Sequence, residues 1–284
     1  MADRIKVVIA GINGRMGKAS ASLILADPEL ELVGAFGPAG ASYVGADIGS
    51  LTHKSSTGIL VSNRIEELPA KVQPDVLLDF SLADAAVEHA KFALQHGFRP
   101  VIGASGLKDD KIKTLAELTA KQHLGAMVVP NFSVGAVLMM EFAKQAGAFF
   151  ENVEIVEMHH TKKLDAPSGT AMFTAGKLKQ SGNRFNAKEV EEHELLPHSR
   201  GGQTDSGVRI HSLRLPGLIS HQEVIFGAQG ELLTIRHDSF NTDCFLKGIK
   251  MAIKAVIDLD ELVVGLDQIL NIEDKRQKIG GRAS

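Results

Sequence analysis

The sequence holds one cysteine, Cys244, no tryptophan and a single tyrosine. A lone cysteine excludes an internal disulfide and fits a reducing compartment. No apolar run is long enough to cross a membrane. The longest stretch without a charged residue, Leu124 to Met140, is broken by Pro130, Asn131 and Ser133 and reads as a buried strand leading into a helix. Charge is nearly balanced, with 31 Lys+Arg against 34 Asp+Glu and a net −3, so there is no basic footprint for nucleic acid. The opening, MADRIKVVIAGING, turns glycine-rich too soon for a secretion signal, and a cytoplasmic protein is expected. Internal repeats and low-complexity segments are missing as well.

What is present is an alternation. Apolar runs at 5–11, 30–36, 74–81, 99–106 and 125–133 read as strands, and the segments at 15–27, 83–97 and 108–122 read as helices. Continuous Val/Ile/Leu strands separated by helices predict a parallel sheet covered on both faces, an α/β doubly wound, Rossmann-like domain. After residue 130 the pattern changes. A helix at 134–150, a strand at 153–161 and a helix at 167–180 precede three strands, 207–217, 219–227 and 231–239, that follow one another without helices and are expected to pair antiparallel. A long amphipathic helix over 245–263 and a loose polar tail close the chain. The reading is therefore a dinucleotide-binding domain over 1–130 and an α+β domain over 131–240.

GINGRMG, Gly11 to Gly17, follows the first strand and opens the first helix. Small residues there let the backbone approach a pyrophosphate, and the helix start supplies N–H groups and partial positive charge. This fold ordinarily places a ribose-binding acid at the end of the second strand. Here that strand ends in Phe36-Gly37-Pro38, which removes a group that would repel a 2′-phosphate; Arg15 is a candidate to meet one. GASG (103–106) and PNFS (130–133) also end apolar strands, on the side where such sheets bind ligands.

EMHHTKKLDAPSGTA, Glu157 to Ala171, gathers two histidines and two lysines before a turn and a helix start. If the chain stays extended, His159 and Lys163 share one face. Ser168 is the expected N-cap of the helix that follows. A histidine that titrates near neutrality, a fixed ammonium and a helix N-terminus suit a small carboxylate-bearing substrate. Adjacent histidines on a strand point apart, and no metal-binding spacing accompanies them, so no metal is expected.

This stretch resembles the signature of the dihydrodipicolinate reductase family, E-x-H-H-x-x-K-x-D-A-P-S-G-T-A, at every fixed position. GINGRMG matches the family's cofactor loop, GASG its second glycine loop and NFSVG its entry into the second domain, in the same order from about residue 5 to 257. The resemblance implies reduction of 4-hydroxy-tetrahydrodipicolinate with NADPH or NADH in lysine and diaminopimelate biosynthesis. It implies a homotetramer built on the open mixed sheet of the second domain, with 241–284 rejoining the first. His159 would be the acid/base and Lys163 a second charged group, while His160, Gly169 and Thr170 would hold carboxylates. Gly11, Ile12, Asn13, Gly14, Arg15 and Met16, then Gly103, Ala104 and Ser105, then Val129, Pro130, Asn131 and Phe132 would line the cofactor site. Hydride addition to a conjugated cyclic imine leaves an electron-rich enamine carbon that must gain a proton, and a positioned acid supplies it. The alternatives are a dehydrogenase of another small dicarboxylate or imino acid, such as an aspartate dehydrogenase, and a non-catalytic NAD(P) sensor.

Overall fold

The five apolar runs of the first half become neighbouring strands of one sheet. A computed structural model describes residues 3–68, 73–104, 106–187 and 190–270. The chain divides into two units, Met1–Ser133 with Phe245–Ser284, and Val134–Cys244.

The first unit is built on β1 (Ile5–Ala10), β2 (Leu30–Phe36), β3 (Val61–Ser62), β4 (Val76–Asp79), β5 (Arg99–Ile102), β6 (Ala126–Val128) and β12 (Leu262–Val264). They form a seven-stranded sheet in the order β12-β6-β5-β4-β1-β2-β3, with every pairing parallel. Val7, Val8, Ile9 and Ala10 are fully buried, as expected of a central strand covered on both faces. Three helices follow the strands: α1 (Arg15–Ala26), α2 (Ala83–Gln95) and α3 (Asp109–Gln122). Because β1 leads outward to β2 while β4 lies on its other side, the loops after β1 and β4 flank the switch point where such sheets take ligands.

The closing helix is shorter than its periodicity predicts. It runs Leu246–Ala255, tightens into a 3₁₀ turn at Val256–Asp258, and gives way to β12, which extends the sheet edge beside β6. The β-branched pair Val263-Val264 meets an open parallel edge, and Leu259 seats against Gly125, where a Cβ would lie only 2.4 Å from its own. The sheet pairing overrides the helical pattern. Lys250 pairs with Asp27 at 2.6 Å and Glu29 at 2.7 Å, and Lys254 with Glu29 at 2.6 Å, tying this helix to the end of α1. These ammonium groups pull the Glu29 carboxyl down to about 2. The polar tail from 271 onward lies outside the described residues.

The second unit carries α4 (Val134–Ala146), β7 (Asn152–His159), α5 (Gly169–Lys179), β8 (Gly202–Gln203), β9 (Arg209–Arg214), β10 (Ser220–Ala228) and β11 (Glu231–Ser239). The sheet order is β11-β10-β7-β9-β8. Of the three successive strands, β10 and β11 pair antiparallel as expected, whereas β9 pairs parallel to β7, so the sheet is mixed. The crossover between them contains α5, and a helical crossover returns the chain in the same direction. Along β7, Val153, Ile155, Glu157 and His159 are buried on one face. Among the described residues, no helix is long and apolar enough to span a membrane.

Candidate functional site

In the first unit, four loops end at the carboxyl edge of the parallel sheet. Gly11 has φ +76°, and a Cβ on it would lie 3.0 Å from the Phe80 carbonyl, so the loop after β1 rests directly on the loop after β4. At Gly17 a Cβ would come within 2.3 Å of Gly11 O, which fixes α1 tightly against its own loop. At Gly103 it would strike the rings of Phe80 and Phe132, themselves 5.9 Å apart, so the loops after β5 and β6 join the same cluster. The N-cap of α1, Gly14, offers no side-chain cap, and the first turn holds no acid. The first N–H groups of α1 have no acceptor within the helix, and its dipole favours an anion. This cradle fits a dinucleotide pyrophosphate.

The expected cofactor residues divide by exposure. Asn13, Gly14, Arg15 and Pro130 are exposed; Gly11, Met16, Gly103 and Asn131 are half-buried. Ile12, Ala104, Val129 and Phe132 are buried, so Ile12 and Val129 offer backbone rather than side chain. Ser105 lies outside the described residues. Two features escaped sequence reasoning. Asp79, fully buried at the end of β4, accepts from Ser81 N at 2.7 Å and holds His89 Nδ1 at 2.8 Å, anchoring the loop of Phe80. The place after β2 that lacks an acid is filled by Tyr43, whose ring would lie 2.6 Å from a Cβ on Gly37.

In the second unit, β7 delivers His159 to its end, buried at 9% exposure. The extended reading of 159–163 does not hold. The strand stops at His159, and Lys163 N donates to His160 O at 3.2 Å, closing a turn. The turn still keeps Lys163 close enough for its charge to act on the imidazole. Lys163 Nζ donates to Asp165 Oδ1 and Oδ2 at 2.7 and 2.9 Å. His160 is exposed, and its Nδ1 accepts from Lys162 N at 3.2 Å. Ser168 caps α5 as expected, accepting from Ala171 N at 3.2 Å. A Cβ at Gly169 would meet nothing within 4 Å, so the positive end of α5 opens onto free space; Thr170, half-buried, completes the turn.

Two further residues complete this cluster. Glu157, fully buried, holds His159 Nδ1 at 2.5 Å. Arg214 donates to Glu157 through Nη1 at 3.0 Å and Nη2 at 2.8 Å. Glu157 lies two residues from His159 on one strand face, a signal the alternation does carry. Arg214 reaches the cluster only through the parallel register that pairs it with His159, which no local pattern announces. Burial pushes the His159 imidazole below its ordinary 6.5; the Glu157 hydrogen bond opposes that shift, and the charges of Lys163 and Arg214 add to it.

Comparison with known proteins covers nearly the whole chain. The family model described as dihydrodipicolinate reductase, N-terminus, matches residues 5–132, and that described as dihydrodipicolinate reductase, C-terminus, matches residues 135–270. A relative named 4-hydroxy-tetrahydrodipicolinate reductase from Bacillus subtilis is 42% identical, covering 95% of this chain and 99% of the relative. One of the same name from Synechococcus elongatus is 42% identical over 95% of this chain and 100% of its own. The solved structure of dipicolinate-bound dihydrodipicolinate reductase from Paenisporosarcina sp. TG-14 is 39% identical, covers 94% of this chain and 99% of that chain, and superposes with a TM-score of 0.85.

Proposed function

The chain belongs to the dihydrodipicolinate reductase family, and we propose that it reduces 4-hydroxy-tetrahydrodipicolinate to tetrahydrodipicolinate with NADPH or NADH, with His159 giving the proton. The observation that carries this reading is the buried Glu157–His159 pair beside the open start of α5.

The substrate loses water to form a conjugated imine, and that imine takes up one hydride and one proton. Bound NAD(P)H supplies the hydride. The backbone of the loops after β1, β5 and β6 and the start of α1 would hold the dinucleotide, with Gly11, Gly14, Gly103 and Asn131 offering main chain to it and Arg15 a charge for its phosphates. The start of α5 at Gly169 and Thr170, with His160, holds the ring carboxylates. Lys163 exchanges its contact with Asp165 for a carboxylate of the substrate and offsets charge that builds on the ring.

His159 delivers the proton through Nε2. Resting below 6.5, the imidazole is mostly neutral at pH 7. A bound dianion favours the imidazolium and raises that pKa, so the substrate recruits its own acid. The reading is tested by mixing purified protein with NADPH or NADH and freshly made imine while following the nicotinamide absorbance. Cofactor oxidation with the imine supports it; turnover only with another dicarboxylate or imino acid would replace it.

We also propose that the chain is a homotetramer joined through the open face of the second sheet. On that face Leu232 is 76% exposed, and Glu154, Val156, Arg209, His211 and Ile225 line a cavity of about 620 Å³. Light scattering is expected to give the mass of four chains for the native protein and a smaller species for Leu232→Glu. An unchanged mass in the variant would move the interface elsewhere.

A further inference from the structure

We propose that Glu157 is a positioning residue: one buried carboxylate fixes both the proton-transfer atom of His159 and the start of the helix that takes the substrate's carboxylate. The inference rests on the reductase reading for its catalytic meaning, and on the geometry for everything else.

Every partner of Glu157 is a donor. Oε2 receives His159 Nδ1 at 2.5 Å and Arg214 Nη1 at 3.0 Å. Oε1 receives Arg214 Nη2 at 2.8 Å and the backbone N–H of Ser168 at 3.2 Å. The hydroxyl of Ser212 adds another contact. An ionised carboxylate only accepts, and the fork of Arg214 holds this one ionised despite complete burial. The hydrogen on the shortest contact therefore belongs to His159 Nδ1. A neutral imidazole with its proton there has its lone pair on Nε2, the atom that can take up a proton and release it to a substrate.

The same carboxylate reaches the helix. Ser168 is the N-cap of α5, and its N–H on Glu157 sets the direction in which α5 leaves the loop. Arg214 Nη2 also donates to Asp165 O at 2.8 Å, so the loop bearing Lys163 hangs from the same group. Imidazole, helix start and lysine loop are thus referenced to one fixed point in the strand. A side chain that served only to fill the core would not need five donors from four different residues.

The charged groups around His159 make the consequence readable. Glu157 lies on its own strand and Arg214 on β9; Lys163 and Asp165 occupy the following loop. The covering helices α4 and α5 contribute the mutual pair Glu141–Lys177, and β11 contributes His237 on the row of Glu157. Lys163 and Arg214 both oppose the imidazolium, and Glu157 favours it. Glu157→Gln keeps the shape but removes that favouring charge.

In the variant, kcat is expected to fall about 100-fold near neutral pH. Its decline with rising pH should move to lower pH by about one unit or more. The dissociation constant for dipicolinate should change far less, because the amide oxygen can still receive Ser168 N–H. A lower kcat with an unmoved pH limb would mean a purely structural role and overturn the proposal. If Glu157→Gln fails to fold, ¹⁵N spectra of labelled histidine in the native protein decide. A protonated Nδ1 and bare Nε2 at His159 support the proposal, and the opposite tautomer overturns it. That spectrum is independent of turnover, so a protein inactive on the imine would sink the reductase reading without touching this one.

Discussion

Replacing His159 with alanine is expected to lower kcat by roughly 10²–10⁴-fold, the usual contribution of a positioned acid, while NAD(P)H affinity stays nearly intact. The imidazole is buried at the end of β7 with Nδ1 committed to Glu157, so the substitution removes the proposed proton donor itself. Lys163 remains, but its ammonium rests on Asp165. The loops proposed to hold the cofactor belong to the other unit, which the substitution leaves alone. Steady-state kinetics with a separate fluorescence titration of NAD(P)H separates the two effects. Unchanged turnover would remove His159 from the chemistry.

Substituting Gly17 should do the reverse. Even the single methyl of Gly17→Ala would sit 2.3 Å from Gly11 O and 2.7 Å from the Ile12 Cα. Neither atom can yield without displacing the loop, because Gly11 is itself pressed against the backbone of Phe80. The start of α1 then shifts by several tenths of an ångström or more relative to the phosphates. Misplacement of about 1 Å can cost on the order of 10²-fold where geometry is exacting, so NAD(P)H affinity is expected to fall at least tenfold. Binding of dipicolinate, used as a probe of the proposed carboxylate site in the second unit, should survive if the variant folds, which a thermal melt checks alongside. A wild-type cofactor affinity would show that the glycine loop does not hold the pyrophosphate.

The two predictions touch parts of the molecule that were unequally legible in the sequence. The loop between β1 and α1 was readable because a buried apolar run, three small residues and a helix start are all local. The N-cap at Ser168 was readable for the same reason. Legibility failed where one segment takes its conformation from another. Leu262–Val264 looks like the last turn of an amphipathic helix until the edge of β6 offers it a partner. Residues 159–163 alternate as a strand would, but Lys163 N–H closes on His160 O instead. Arg214 is an unremarkable strand-end arginine until β9 aligns it with His159. Tyr43 stands seven residues beyond Phe36 in an irregular loop, and nothing in that loop's composition says that its ring will fill the place beside Gly37. Glu157 is a different case. It shares a strand face with His159 and is a fixed position of the family signature, a signal that alternation carries, but its role needed the short contact and the fork from Arg214.

The His159 imidazole is expected to be neutral at rest and to become charged when a dicarboxylate arrives. Calorimetric titration of dipicolinate at pH 7, repeated in buffers of different ionisation enthalpy, counts the protons taken up on binding. Native protein should take up a substantial fraction of one proton per site, and His159→Gln should take up almost none. Binding without proton uptake, or uptake that persists undiminished in the variant, would contradict the assignment of His159 as the acid.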